Sequence, residues 1–454
     1  MAAARRILHS RPVLLIAFAF AVMGDPVSSV AYAIEAALRA LDGDLDLLLA
    51  TMAVVIGIIA LVIVNYHRLI ARFPGGGDAA AAGSAFGEGW AFLPLGSLIV
   101  DYALTIAISC SAAASAIIAY VPGAESARLA LAIGLCGVVA GLTWFGHGGR
   151  TLFALMTLSF VAIGSLVILR GLVAPVGHGN APLDPAPSGD GIASVLLAFP
   201  VAMALATGVE APSTAVAQLG QLDRAGKVRF GQVTLWLTLG IVAWLTIGLT
   251  VLAVRLRIGL PPQNSTQIAE IARAAAGDGV LYAAFQLTSA VLLLAAASSS
   301  FQAGPGLLKA LARDARGAGV LPALLGRSNR HHTPYWSVVV FLAAASLIVI
   351  AGGGREQELV LFYAVAVFVS FLFGLLAMSV FSWRERRWAF LAVNVLTVAA
   401  VVLTLAVNLR RGYPIASLLA AGAVAALLWS LWVRSGRPSG VSEAELHAEE
   451  AFTS

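Results

Sequence analysis

The 454 residues are 60% hydrophobic and 11% charged, with a mean hydropathy of +0.91. Soluble domains carry about 25% charged residues, so the composition excludes a soluble globular protein and gives an integral membrane protein whose first partner is the lipid bilayer. The formal net charge of +5 says less than its distribution. The two cysteines, Cys110 and Cys136, lie in apolar segments without metal-ligand spacing and read as small core residues.

Arg5, Arg6 and Arg11 precede a long apolar run in the manner of a signal peptide, but no small-residue cleavage site leads into a soluble domain, so the first segment is expected to be retained. A bilayer core needs about 20 apolar residues per helix. Twelve such segments are predicted, over 12–41, 45–69, 88–121, 128–145, 150–173, 191–219, 230–256, 278–304, 335–351, 357–381, 387–409 and 414–433. Segments 1, 3 and 6 are longer than a straight span requires, and 1 and 6 carry polar interruptions near their middles. Alternate loops hold 19 of the 28 Lys and Arg residues. That bias predicts a plasma-membrane protein with both termini cytoplasmic: an N-terminus over 1–11, an external loop over 174–190, and a short acidic tail over 434–454 expected to be a solvated or frayed helix.

Interrupted segments 1 and 6 are five segments apart. An odd offset inverts the second copy, and paired interruptions are the best sequence pointer to a transporter's midplane site. The repeats would be 12–173 and 191–381, with 387–433 added as two extra helices.

Segment 1 contains "GDPVSSVAY", residues 24–32. Gly24 and Pro26 loosen the backbone around Asp25, at a depth where unwound chain survives only against protein or a watery cavity. Freed carbonyls there can coordinate a cation. Asp25 and Tyr32, two turns apart, share a face if the helix is continuous. The plainer role for Asp25 is to cap a half-helix. In segment 6, "FPVAMALATGVEAPSTAVAQLG", Gly208 and Pro212 bracket Glu210, and Thr207 lies three residues before it. A buried glutamate is costly unless paired, hydrogen-bonded or protonated. Burial favours the protonated form and a nearby cation the ionised one, so such a group can exchange a proton for a cation. A structural hydrogen bond bridging the half-helices is the alternative. In segment 3, "VDYALTIAISCSAAASA", Asp101, Tyr102 and Thr105 fall near one side, and the Ser/Ala run permits close helix approach. Tyr363 in segment 10 offers either a hydroxyl to a cavity or a packing ring. The glycine-rich "RFPGGGDAAAAGSAFGEGWAFL" (72–93) lacks the Lys-Ser/Thr ending of a phosphate loop. His331 and His332 read as a solvated loop pair, and His147 and His178 also fall in loops. No Ser/His/Asp set or zinc spacing appears, so no enzyme, cofactor or nucleic-acid reading is supported.

These motifs resemble the amino acid–polyamine–organocation superfamily. The 72–93 stretch is similar to its signature after the second helix, and "KALARDARGAGVLPALLGRSNRHHTPYW" (309–336) to its loop before the ninth. The resemblance implies an all-α LeuT-type fold: twelve transmembrane helices, two inverted five-helix repeats with the first and sixth helices broken, and two extra helices. Amino-acid permeases of this superfamily place a glycine-rich cradle for the substrate carboxylate in the first helix, where this chain has Asp25. "GDPVSSVAY", "DYALT", "TGVEA" and "YAVAVF" resemble instead the KUP-type potassium–proton symporters and their KimA-like branch. That similarity implies a potassium site of Asp25, Tyr32, Tyr102, Thr105, Thr207 and Glu210, with Glu210 carrying the coupling proton and Tyr363 lining or gating the path. The KimA-like branch has a cytoplasmic C-terminal domain that binds a cyclic dinucleotide. These residues stop about 20 positions after segment 12, so that regulation is not expected. The leading alternative is a proton-coupled permease for an amino acid or polyamine; a sensor and a channel fit the paired breaks less well. Oligomeric state stays open, a homodimer being one option.

Overall fold

The computed structural model describes residues 11–145, 150–179, 191–313, 319–410 and 415–450. His147, residues 180–190 of the loop after segment 5, and the ends of both termini lie outside the described residues. Those described are helical or irregular, with two isolated β-bridges. Among the described residues, ten helices are long and apolar enough to cross a membrane. They account for segments 2–8 and 10–12. The ninth is a 17-residue apolar helix, Tyr335–Ala351. The first is broken into α1 (Arg11–Val22), α2 (Gly24–Ser28) and α3 (Val30–Ala40).

The remaining helices are α4 (Leu45–Arg72), α5 (Gly77–Phe86), α6 (Phe92–Tyr120), α7 (Arg128–Trp144), α8 (Arg150–Val173), α9 (Gly191–Ala202), α10 (Ala211–Ala215), α11 (Arg224–Arg255), α12 (Gln267–Ala276), α13 (Val280–Leu311), α14 (Ala323–Gly326), α15 (Tyr335–Ala351), α16 (Glu356–Arg384), α17 (Trp388–Arg410), α18 (Ile415–Arg434) and α19 (Ala444–Glu450). Several starts are written in the sequence. Asp44 caps α4 by accepting from the Asp46 amide, Asp223 caps α11 from Gly226, and Thr266 caps α12 from Ala269.

α6 is the centre of the molecule: 78% of its most apolar stretch is buried, against 22% for α17 and α18, which are peripheral. Its Ser/Ala run, buried from Ser109 to Ala116, lets α13 and α16 lie close against it. With no hydrophobic drive between helices in lipid, such close van der Waals contact is what holds them.

The tail is not solvated, contrary to the sequence expectation. Val441, Ala444, Glu445 and Ala448 are buried, and α19 seats against α5, α10 and α13. The glycines of the 72–93 loop make the seat. A side chain at Gly83 would strike Ser442 Cβ at 2.4 Å, at Gly75 it would strike Leu446, and at Gly77 Glu445. Glu88 holds the tail's entry, accepting from the amides of Gly440 and Ser442 at 3.2 and 3.0 Å.

Candidate solute-binding site

Both interruptions form as backbone breaks. Pro26 has no N–H to return to the carbonyl of Val22, four residues back, and the helix is interrupted at Met23 and Ser29, both of which keep right-handed dihedrals. The Asp25 carbonyl is engaged twice, by Ser28 Oγ at 2.7 Å and by the Ser29 amide at 3.3 Å, so the carbonyl that Pro26 frees is that of Val22. In segment 6, α9 gives way to a 3₁₀ turn over Met203–Ala206, then to extended Thr207 and Gly208 at φ +79°. That left-handed φ is open to glycine and strained for other residues. Pro212 cannot donate to the Gly208 carbonyl, and Ala211 N does so at 3.0 Å.

The two breaks touch. A side-chain carbon on Gly208 would lie 2.8 Å from the carboxyl carbon of Asp25 and 2.8 Å from Pro26 Cδ. Glycine at 208 is therefore required twice, by φ and by the carboxylate resting on it. A side-chain carbon on Gly24 would lie 3.0 Å from Thr157 Oγ1 of α8.

A cavity of about 340 Å³ opens at this junction, walled by Asp25, Tyr102, Glu210, Thr214, Gln218 and Glu445 among others. Asp101 is buried beside it. The carboxyl groups of Asp25, Asp101 and Glu210 act on one another electrostatically. Asp25 Oδ1, Asp101 Oδ1 and Glu210 Oε2 are each buried with no hydrogen-bond partner among the described residues. No Lys or Arg is among the cavity's described wall residues. Three buried carboxyl groups so placed need a cation beside them to remain ionised together, or protons to neutralise them. Among the described residues, no three His, Cys, Asp or Glu side chains converge as a metal-holding group.

Of the six residues expected to surround the solute, Asp25, Tyr102 and Glu210 line the cavity. Tyr32, Thr105 and Thr207 are buried. Tyr32 and Ser29 share a hydrogen bond of 2.8 Å between their hydroxyls, and Thr207 donates to the Ala204 carbonyl at 2.8 Å. The backbone between Asp25 and Tyr32 stays close to helical through Ser29, yet of the two only Asp25 lines the cavity. Tyr363 falls in α16, its side chain outside the described residues. The wall residues Ser299, Ser300 and Gln302 of α13 were missed. Their signal was present in "SSSFQ", a polar run inside an apolar segment.

At the other end of segment 1 a polar clasp involves five elements, α3, α6, α7, α12 and α16. Glu35 pairs with Arg39 at 2.8 Å and accepts from Gln267 N at 3.0 Å. Glu356 accepts from Ser115 Oγ at 2.5 Å, which in turn accepts from Arg128 at 2.6 Å. The cavity wall includes Ala21, Val22, Gln218 and Glu445, so it extends from the break toward α1 and the tail helix α19, away from the clasp residues of α3.

Comparison with known proteins agrees with this architecture. The sequence pattern of the amino acid permease family matches residues 14–434. The potassium transporter KimA of Bacillus subtilis (strain 168) is 30% identical over 387 residues, 80% of this chain and 60% of KimA. The chain thus spans about 60% of that relative's length. Two crystal structures of mutants of the Eremococcus coleocola manganese transporter superpose with TM-scores of 0.52 and 0.51, at 15% and 14% identity, covering 94% of this chain and 95% of theirs. The fold is shared with these LeuT-fold transporters. The chain belongs to the amino acid permease family of the amino acid–polyamine–organocation superfamily, a family of multi-pass membrane transporters.

Proposed function

We propose that the protein imports a monovalent cation, potassium, together with protons. The observation that carries this reading is the meeting of three mutually interacting carboxyl groups, two of them lining a cavity with no basic residue among its described wall residues, at the contact of two helix breaks. A dehydrated cation would rest between Asp25 and Glu210, with the Tyr102 hydroxyl and the Val22 carbonyl replacing part of its hydration shell. Tyr32, Thr105 and Thr207 would shape the breaks from behind. Glu210 would take the coupling proton when the cation leaves, because an ionised carboxylate in this company needs a positive partner. The similarity to KimA supports potassium. The same reading takes 12–173 and 191–381 as inverted repeats and places both termini in the cytoplasm.

A second reading, a proton-coupled amino acid or polyamine permease, is favoured by one feature. A cavity of about 340 Å³ is within the range of small-molecule pockets and larger than a bare ion needs.

The test is growth of a bacterial strain lacking its own potassium uptake, on a potassium dilution series. Wild-type protein should rescue growth at low potassium and Asp25→Asn should not. Absence of rescue by well-expressed wild-type protein would sink the potassium reading, and binding of polyamines to the purified protein would then favour the second.

A further inference from the structure

Away from the cavity, α4, α11, α16 and α17 meet at a cleft of about 560 Å³. Arg68, Arg72, Arg224 and Arg387 line it, and Glu385 is the single acid in its wall. Three of these four guanidinium groups converge on that carboxylate: Arg72 pairs with it directly, Arg387 at 3.3 Å and Arg68 at 4.0 Å. Arg224 donates instead to the Arg72 carbonyl at 3.0 Å. Arg68 is 14% exposed and carries the charges of Arg387 and Arg72 as neighbours. It is held there by Ser382 Oγ at 3.1 Å and by the Phe390 ring at 4.0 Å, while Arg72 stacks on Phe381 at 3.9 Å. Four cations around one anion repel one another, and aromatic faces fix them rather than letting them splay into water. The cluster therefore has unmet demand for an anion. One flank of the cleft is apolar and exposed: Trp236, Val233, Leu237 and Phe390 are each 37–45% exposed. Exposed tryptophan and aliphatic side chains beside arginine are the pattern of a membrane–water boundary.

We propose that this cleft is a binding site for an anionic phospholipid, its phosphate held by Arg72, Arg224 and Arg387 and its acyl chains lying along Trp236 and Phe390. Arginine suits the task because its planar fork grips two phosphate oxygens at once. The apolar flank selects a lipid over a free phosphate. The site is separate from the solute cavity and stands whichever solute is carried.

The experiment is native mass spectrometry of the purified full chain titrated with phosphatidylglycerol, phosphatidylcholine or inorganic phosphate. Phosphatidylglycerol should be retained in preference to phosphatidylcholine. Arg72→Gln, Arg224→Gln and Arg387→Gln should each weaken its retention about fivefold, and Arg410→Gln, outside the cleft, should leave it unchanged. Glu385→Gln removes the resident anion and should tighten retention, the opposite sign to that of a merely broken ion-pair network. The proposal is overturned by equal retention of the two lipids, by an equal loss in Arg410→Gln, by a Glu385→Gln variant that weakens binding, or by inorganic phosphate displacing the lipid.

Discussion

Asp25 and Gly208 illustrate how one contact decides several properties of the site. The carboxylate sits where a β-carbon on residue 208 would be, and the backbone there has φ +79°. Gly208→Ala should therefore cost roughly 1–3 kcal/mol for the strained backbone, with a steric term added, and should abolish uptake. Gly220→Ala, with open space around it, should be silent in a thermal melt and in the growth assay. Asp78, at the start of α5, is a second residue with a consequence. It accepts from Tyr66 Oη at 2.6 Å and from Ser370 Oγ at 3.0 Å. Burial pushes its carboxyl up to about 7 against the pull of those two hydroxyls. The folded state then holds a proton that the unfolded chain releases near 4. Stability contributed at this position is full below that unfolded value and is lost as the pH rises through about 7. Asp78→Asn should flatten this part of the pH–stability curve, with its largest gain over wild type above pH 7, measured by thermal melts across a pH series.

At the scale of elements, the glycine-rich loop acquires a purpose that its composition did not disclose. Gly75, Gly77 and Gly83 leave room for Leu446, Glu445 and Ser442, and Glu88 holds the tail's backbone. The tail thereby brings Glu445 into the cavity wall. Gly83→Leu should unseat α19 while leaving the membrane helices folded. The check is a cysteine at Gln218, which also lines the cavity. Its labelling by a membrane-impermeant thiol reagent should accelerate several-fold in the Gly83→Leu background. Native Cys110 and Cys136 are both buried, so background labelling should be low. Unchanged labelling would mean that the tail does not cover the cavity.

Across the whole molecule, the proposed transport makes the clasp the end of the path away from the cavity. Glu356, Ser115 and Arg128 tie α16, α6 and α7 together, and Glu35 and Gln267 tie segment 1 to α12. Alternating access requires that one end close while the other opens. Glu356→Gln weakens a charge-assisted hydrogen bond, worth about 1.5–3 kcal/mol, at the closed end. It should shift the population toward the state open at the clasp, seen as faster labelling of a cysteine at Ala36, buried next to Glu35. Labelling that stays slow would show that the clasp does not set the closed state.

Much of this was legible in sequence because a membrane imposes a simple rule. Every buried backbone group must be satisfied within its own helix, so apolar runs of about 20 residues mark the helices, and proline, glycine and acid inside such runs mark the places where the rule is broken. Asp25, Pro26, Gly208, Glu210 and Pro212 were identifiable on that ground alone. Only the tertiary structure decided what those breaks face. The contact of Asp25 with Gly208 joins residues 183 positions apart, which no local pattern discloses. Which side chains of one helix reach the cavity depends on what packs around them: Tyr32 bonds to Ser29 while Asp25 lines the cavity. The burial of the acidic tail was hidden for a similar reason. Its composition is that of a solvated segment, and its position is set by absent side chains on a loop more than 350 residues earlier in the chain.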